Sequence, residues 1–330
     1  MKQLYVTGPR QVVFEEAPTP ECSPDGLVVR ARTTAVSPGT EIRVYRAIPV
    51  DEKGEFLHER IPFVLPTTNG YSMVGEVVEV GSAVERFGVG DRVFVPAPHA
   101  EMAALAADLA FKLPDELSDE QAVFLNIMEV GHLALRRGRP GLGENVAIVG
   151  QGVIGLSALA YCRAFGLRTA VVDLNETRLA VARKMGADLA VSPQQSDFLE
   201  QVQKAFDGAG ADLVLEAASN WNAVRTGMQL ARTGGTIMVI SRHTSVPDFN
   251  PVGHPFLGKQ LTVLTSYGYP GDGARWDREH SYALTARLLA ERRINIEPFI
   301  THRFDWSDLP EAYERFDKGD PELIGAVIRW

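Results

Sequence analysis

Between Val146 and Asp173 the chain reads VAIVGQGVIGLSALAYCRAFGLRTAVVD: an apolar run, a Gly150-x-Gly152-x-x-Gly155 turn, a helix-compatible stretch, a second apolar run and an acid. That order is the signature of a dinucleotide-binding βαβ unit, and each residue type has a physical reason to be there. Gly150 allows the tight turn, Gly152 lacks the Cβ that would block a pyrophosphate, and Gly155 lets helix and strand pack closely. The helix opening at Val153-Ile154 points free N–H groups and the positive end of its dipole at the phosphates. Asp173 follows the glycines by about 20 residues, where a carboxylate accepts hydrogen bonds from ribose hydroxyls and repels a 2′-phosphate. NAD (NADH) is therefore the expected cofactor. Leu174 comes directly after the acid, and Arg178, a turn further on, is placed either to stack on the adenine or to stand in solvent.

A turn of this kind needs a sheet to hold it. Downstream, ETRLAVARKMGA (176–187), SDFLEQVQKAFDGAG (196–210) and NAVRTGMQLAR (222–232) read as helices. DLAVS (188–192), ADLVLEAAS (211–219), GGTIMVISR (234–242) and QLTVLTSYGY (260–269) read as strands between and after them. Strands alternating with helices require a parallel sheet with crossovers on both faces. Upstream, residues 1 to 115 are strand-like and rich in turns, with LVVRARTTAVS (27–37), VGEVVEVGSAV (74–84) and DRVFVPA (91–97) broken by Gly and Pro, which suggests a small, mostly antiparallel β domain. Ser118 with Gln121 three residues on is a capping box that opens the helix-like AVFLNIMEVGHLALRR. The tail holds a helix around 279–293, a strand-like PFITHRF (298–304), a short helix DLPEAYERFDKG (308–319) and a terminal strand in ELIGAVIRW (322–330).

Length and charge bound the reading. At 330 residues two domains are expected, and a net charge of −9 with no basic cluster argues against nucleic acid as a partner. There is no apolar run of about 18 residues, so no membrane span is expected, and MKQLYVTGPRQVVF reads as a charged start followed by a strand rather than a targeting signal. A cytoplasmic protein acting on a small-molecule substrate follows. Cys22 and Cys162 are too few for a metal cage or a disulfide framework, and the seven histidines include no HxH or HxxxH pair.

GYSMVGEVVEVGSAVERFGVGDRVFV (70–95), the nucleotide segment, DLVLEAAS (212–219), ARTGGTIMVI (231–240) and the closing HRFDWSDLPEAYERF together resemble the medium-chain dehydrogenase/reductase family over nearly the whole chain. The resemblance implies an α/β protein: a GroES-like, mostly-β catalytic domain (1–120 and 268–330) and a Rossmann doubly wound parallel-sheet domain (121–267). It implies a homodimer. It also places the strand ends Ala217-Ala218-Ser219 and Ile240-Ser241 under the adenosine and nicotinamide ribose, with Thr265-Ser266-Tyr267 near the carboxamide. The loop 47–66 and the segment 266–277 are the implied pocket walls.

The departures from the family bear on mechanism. Zinc-bearing members place a cysteine before a Gly-Thr-Asp-like triplet, a Gly-His-Glu, and a third cysteine or acid ahead of the nucleotide domain. Here those stretches are Pro38-Gly39-Thr40-Glu41, Gly70-Tyr71-Ser72 and the region of Asn126, which offer no zinc-ligand set. The family's four-cysteine structural lobe is absent as well, because PAPHAE (96–101) runs straight through. Without a metal, carbonyl–alcohol chemistry needs hydrogen-bond donors or a general acid. The candidates are Thr40, where relatives keep a proton-relaying hydroxyl, Glu41 beside it, Tyr71 in the histidine's place, and His99, in a stretch that faces the cleft in related chains. Each has a plainer alternative: Thr40 and Glu41 as residues closing a turn, Tyr71 as a space filler, His99 as a surface or capping residue.

SPGTE (37–41) with GYSMVG (70–75) is similar to a zinc-free subgroup that includes bacteriochlorophyllide dehydrogenase. It implies NAD(H)-dependent interconversion of a secondary alcohol and a ketone on a polyol, cyclic or larger substrate. The alternatives are a quinone- or enoyl-type C=C reductase and a non-catalytic nucleotide-binding protein.

Overall fold

The computed structural model describes residues 1–48, 64–269 and 276–330. Most of the loop 47–66 and the centre of 266–277, read above as pocket walls, lie outside them. The chain divides into two compact units, Met1–Asn126 with Tyr282–Ala290 and Ile300–Trp330, and Ile127–Ser281 with Glu291–Phe299.

The first unit contains the strands β1 (Lys2–Gly8), β2 (Gln11–Glu16), β3 (Gly26–Ala35), β4 (Thr67–Thr68), β5 (Met73–Val80), β6 (Arg92–Val95), β7 (Met102–Ala106) and β8 (Phe111–Lys112). Helix α1 (Pro38–Arg46) follows β3, and the single turn α2 (Asp119–Ala122) precedes α3 (Leu125–Gly138). β1, β2 and β4 form a small antiparallel sheet. The larger sheet closes only when the C-terminal tail returns, in the order β15–β16–β3–β5–β6–β8 with β7 also on β3 (β15, Ile300–Asp305; β16, Gly325–Arg329). Val327 and Ile328 pair antiparallel with Ala35 and Thr34. Alternation along β3 buries Leu27 and Val29 against Val77, Val93 and Val95. A second core forms where α1 and α9 (Leu309–Lys318) meet: Ile42, Tyr45, Leu309 and Tyr313 with Leu4 and Ile328.

In the second unit, β9 (Asn145–Val149), β10 (Arg168–Val172), β11 (Leu189–Val191), β12 (Ala211–Glu216), β13 (Ala231–Val239) and β14 (Thr262–Thr265) pair in parallel throughout. Their order β11–β10–β9–β12–β13–β14 is the doubly wound one, which puts the reversal of strand order beside β9. The crossovers are α4 (Val153–Ala164), α5 (Glu176–Lys184), α6 (Phe198–Ala205) and α7 (Trp221–Leu230). α4 buries most of its residues, Val153 and Leu156 through Cys162 among them, which is why this segment reads apolar all round.

Three sequence expectations shift. Pro38-Gly39-Thr40-Glu41 is the first turn of α1 rather than a connecting turn, with Pro38 in the initial position that tolerates a missing N–H. The break near 120 moves to Asn126, because Ser72 in the first unit reaches the Val123 carbonyl and the Asn126 side chain. The tail rejoins the first unit at Tyr282 rather than 268, where the Tyr282 ring packs edge-on against Phe94 and Phe111. α8 (Arg278–Ala290) carries this joint.

Candidate functional site

At the carboxyl end of β9 the nucleotide turn has the shape its glycines predict. A Cβ on Gly155 would lie 1.9 Å from the Gly150 carbonyl oxygen, so any side chain there would drive α4 off the strand. A Cβ on Gly152 would meet nothing within 4 Å. Gly152 is also the residue that opens α4, and it brings no capping side chain. The N–H groups of Val153, Ile154 and Gly155 therefore face an open cradle without an internal acceptor.

Asp173 ends β10 against this turn. One carboxylate oxygen accepts the Gln151 N–H at 2.6 Å and the other the Asn175 N–H at 2.8 Å. A carboxylate has about four lone-pair sites, so acceptor capacity remains for ribose hydroxyls. Leu174 beside it is 68% exposed, an apolar surface next to the cradle. The Arg178 guanidinium lies 3.9 Å from the Asp173 carboxylate.

The other strand ends are tied together by Glu216, a residue the sequence reading passed over. It is fully buried at the end of β12. One of its oxygens accepts the N–H groups of Ala218 and Ser219, each at 2.8 Å; the other accepts the Ser241 hydroxyl and pairs with His243 Nε2 at 2.8 Å. Ala217 donates to the Val149 carbonyl, Ile240 to Glu216 and Ser266 to Val239. All these residues thus gather at the carboxyl ends of β9, β12, β13 and β14, the rim where open α/β sheets bind ligands. An acid closing the otherwise apolar LVLE was the signal available for Glu216.

In the first unit the proton-transfer candidates separate into two groups. Glu41 and His99 are both fully buried and face each other, His99 Nε2 lying 2.9 Å from Glu41 Oε2. The same oxygen accepts the Tyr313 hydroxyl at 2.7 Å, and Oε1 accepts the Ser37 N–H at 2.7 Å. His99 Nδ1 lies 2.7 Å from Thr34 Oγ1, which accepts from the Trp330 indole. A neutral imidazole protonated on Nε2 satisfies each member at once, donating to Glu41 and accepting from Thr34. Burial, and then the charge of Glu41, raise the Tyr313 phenol well above its usual range, so it remains a donor. Neither Glu41, on α1, nor His99 reaches the surface, so His99 is neither a surface nor a capping residue, and Glu41 is a buried helical acid rather than one closing a turn.

Thr40 and Tyr71 are half-buried. The Thr40 hydroxyl has no hydrogen-bond partner among the described residues. Tyr71 donates its hydroxyl proton to Ser37 Oγ, and its carbonyl accepts from Asn126 Nδ2 at 2.8 Å. Ser72 Oγ lies 2.5 Å from Asn126 Oδ1.

The family resemblance sets Pro38, Tyr71, Ser72 and the region of Asn126 where zinc-bearing members keep their ligands, and the side chains present here do not make a zinc-ligand set. Pro38 has no donor, the Tyr71 phenol is turned to Ser37, and the Asn126 amide is engaged at both ends. Among the described residues no group of three or more His, Cys, Asp and Glu side chains could hold a metal. No helix among them is long and apolar enough to cross a membrane.

Two family models match: "Alcohol dehydrogenase GroES-like domain" over residues 23–112 and "Zinc-binding dehydrogenase" over 153–288. Sorbitol dehydrogenase of Bacillus subtilis (strain 168) is 26% identical over an alignment covering 99% of this chain and 97% of the relative. L-threonine 3-dehydrogenase of Coxiella burnetii is 29% identical, covering 96% and 95%. A solved alcohol dehydrogenase of Escherichia coli CFT073, complexed with NADH, superposes with a TM-score of 0.82 at 22% identity, covering 100% of this chain and 99% of that one.

Proposed function

The chain belongs to the medium-chain dehydrogenase/reductase superfamily, and on that premise we propose that it is an NAD(H)-dependent, zinc-independent oxidoreductase interconverting a secondary alcohol and a ketone. The observation that carries the coenzyme reading is the open, uncapped start of α4 set against Asp173. The cradle suits a pyrophosphate, and the acid suits a free 2′-hydroxyl. When bound, nicotinamide supplies the hydride donor or acceptor.

The protein's own part is to hold the nucleotide by backbone and to manage one proton. Relatives named for sorbitol and L-threonine support a secondary hydroxyl as the reacting group, on a polyol or larger substrate. In place of a Lewis acid, the half-buried hydroxyls of Thr40 and Tyr71 are the groups assigned to exchange that proton. Glu41 and His99 are assigned to position α1 and Ser37 from behind. The edge strand β14, with Val263 45% exposed, is the surface assigned to a homodimer, which light scattering would report.

Titrating the purified protein with NADH and NADPH, followed by coenzyme fluorescence, tests the first half. NADH is expected to bind at least about tenfold tighter, and Asp173→Gly with Leu174→Arg to reverse the order. Affinity for neither coenzyme would overturn the reading. Elemental analysis tests the second half: zinc well below one per chain and activity unaffected by chelators are expected, and a stoichiometric metal whose removal abolishes turnover would refute it.

A further inference from the structure

Ser37 opens the SPGTE motif without a role of its own there, and the fold gives it an unusual one. It stands immediately before α1, where a serine hydroxyl ordinarily caps the free N–H groups of the first turn. Here it makes no such bond. Pro38 has no N–H to cap, and the Thr40 and Glu41 amides reach the Ser37 carbonyl instead, at 3.2 and 3.0 Å. The Ser37 backbone is clamped from the other side by Glu41 Oε1, which accepts its N–H at 2.7 Å. Glu41 is itself fixed by His99 and Tyr313. Ser37 is 6% exposed, and its hydroxyl, relieved of capping, accepts a hydrogen bond from the Tyr71 phenol.

We propose that Ser37 is a positioning residue for Tyr71, a rotatable hydroxyl that accepts from the neutral phenol and donates to the phenolate. The inference rests on the reading of Tyr71 as the group that exchanges a proton with substrate. In ketone reduction, with bound nicotinamide as the group that would supply hydride to the carbonyl carbon, the carbonyl oxygen would take the Tyr71 proton. The phenolate left behind then accepts a hydrogen bond from Ser37 by rotation about one C–O bond, and regains its proton from solvent water. Alcohol oxidation runs the same transfers backwards. Because Ser37 bonds more strongly to the charged oxygen than to the neutral one, it favours the state in which the proton has left. The titratable groups on this network, among the described residues, are Glu41 on α1, His99 on the segment after β6 and Tyr313 on α9; the neutral Asn126 amide holds the Tyr71 backbone.

Ultraviolet difference titration of the wild type against Tyr71→Phe isolates the Tyr71 ionisation without needing a substrate. In Ser37→Ala its midpoint is expected to rise by about one unit or more, and in Ser37→Thr, which keeps the hydroxyl, to stay near the wild-type value. With sorbitol or L-threonine as the probe alcohol, Ser37→Ala should lower kcat at least about tenfold with KM and NADH affinity unchanged. The double variant Ser37→Ala/Tyr71→Phe should be no slower than Tyr71→Phe alone. An unmoved midpoint in Ser37→Ala, or fully additive losses in the double variant, would overturn the proposal. Near-normal turnover in Tyr71→Phe would instead refute the acid–base reading on which it rests, and the titration would still decide the bond between the two hydroxyls.

Discussion

The nucleotide cradle and the polar network around Glu41 are built from different materials. The cradle is backbone: glycines that permit a close approach, unpaired N–H groups at a helix start, and one acid at a strand end. The network is side chain, with Thr34, Ser37, Glu41, His99 and Tyr313 drawn from three separate stretches of chain onto one carboxylate and its imidazole partner. A backbone site tolerates almost any neighbour and fails when a Cβ intrudes. A side-chain site fails when any one partner is removed, because those left behind are buried and unpaired.

The largest effect should come from the glycines, and it should differ sharply between two of them. Gly155→Val places a side chain where even a Cβ lies 1.9 Å from the Gly150 carbonyl oxygen. Backbone must move, and the expected cost is at least about 3 kcal/mol in a urea unfolding curve. Gly152→Ala meets nothing within 4 Å; its unfolding midpoint should hardly move while NADH affinity falls at least about tenfold. Equal stability losses in the two variants would show that the cradle is a packing feature and not a binding one.

Glu41→Ala probes the other material. It leaves the His99 Nε2 proton, the Tyr313 hydroxyl and the Ser37 N–H without acceptors in a site closed to water. The expected loss is about 3 kcal/mol. Glu41→Gln, which keeps an acceptor but turns an amide N–H₂ toward one set of donors, should lose less. If Glu41→Ala unfolds at the wild-type urea concentration, the network contributes nothing to the fold.

This contrast also explains what the sequence made legible. The βαβ turn is local: strand, glycines, helix and acid lie within 28 consecutive residues, Val146–Asp173, and each constrains its neighbours. The parallel alternation after it was readable for the same reason, and the strand order follows from right-handed crossovers. In the first unit, Glu41 and Tyr313 are 272 positions apart, and nothing near either residue names the other. SPGTE and PAPHAE mark Glu41 and His99 as candidates, but their burial depends on a tail helix whose docking has no local signature. Pro-Gly at the start of α1 suggests a turn that Thr40 and Glu41 close, whereas the apolar positions that make the segment a helix, Ile42, Val44 and Tyr45, face cores completed from elsewhere in the unit.

A smaller effect should appear on acidification, and it belongs to the nucleotide-binding unit. Burial, with a minor contribution from the Arg136 charge, pushes the His132 imidazole down to about 4. The ring is packed against Tyr161 and Trp276, and its Nδ1 has no partner. An unfolded histidine takes up its proton near 6.5, the folded one only near 4. Below pH 6.5 the unfolded chain therefore binds more protons, so stability is full above that pH and declines as pH falls toward 4. Between pH 7 and 5 this single group should cost about 2 kcal/mol. His132→Phe should flatten that part of the curve in urea unfolding; an identical acid limb in the variant would assign the sensitivity to other groups.

The smallest effect tests where the cradle ends. Arg178 sits on α5 with its guanidinium 3.9 Å from Asp173 and a side chain 35% exposed. A pair that long and that open is worth at most about 1 kcal/mol, and its loss in Arg178→Ala should be hard to see in unfolding. Its effect on the coenzyme has two possible signs. If Arg178 serves mainly to neutralise Asp173, removing it leaves the carboxylate freer to accept ribose hydroxyls, and NADH should bind as well or slightly better. If the guanidinium instead lies on the adenine, a stacking surface worth about 0.5–1 kcal/mol at an exposed site is lost, and NADH affinity should fall about two- to fivefold. The ion pair holds the side chain on the same rim as Asp173, next to the exposed Leu174, which favours the second outcome. A calorimetric titration of Arg178→Ala with NADH distinguishes the two: unchanged or tighter binding would confine the cradle to backbone and one acid, and weaker binding would extend it to a side chain on α5.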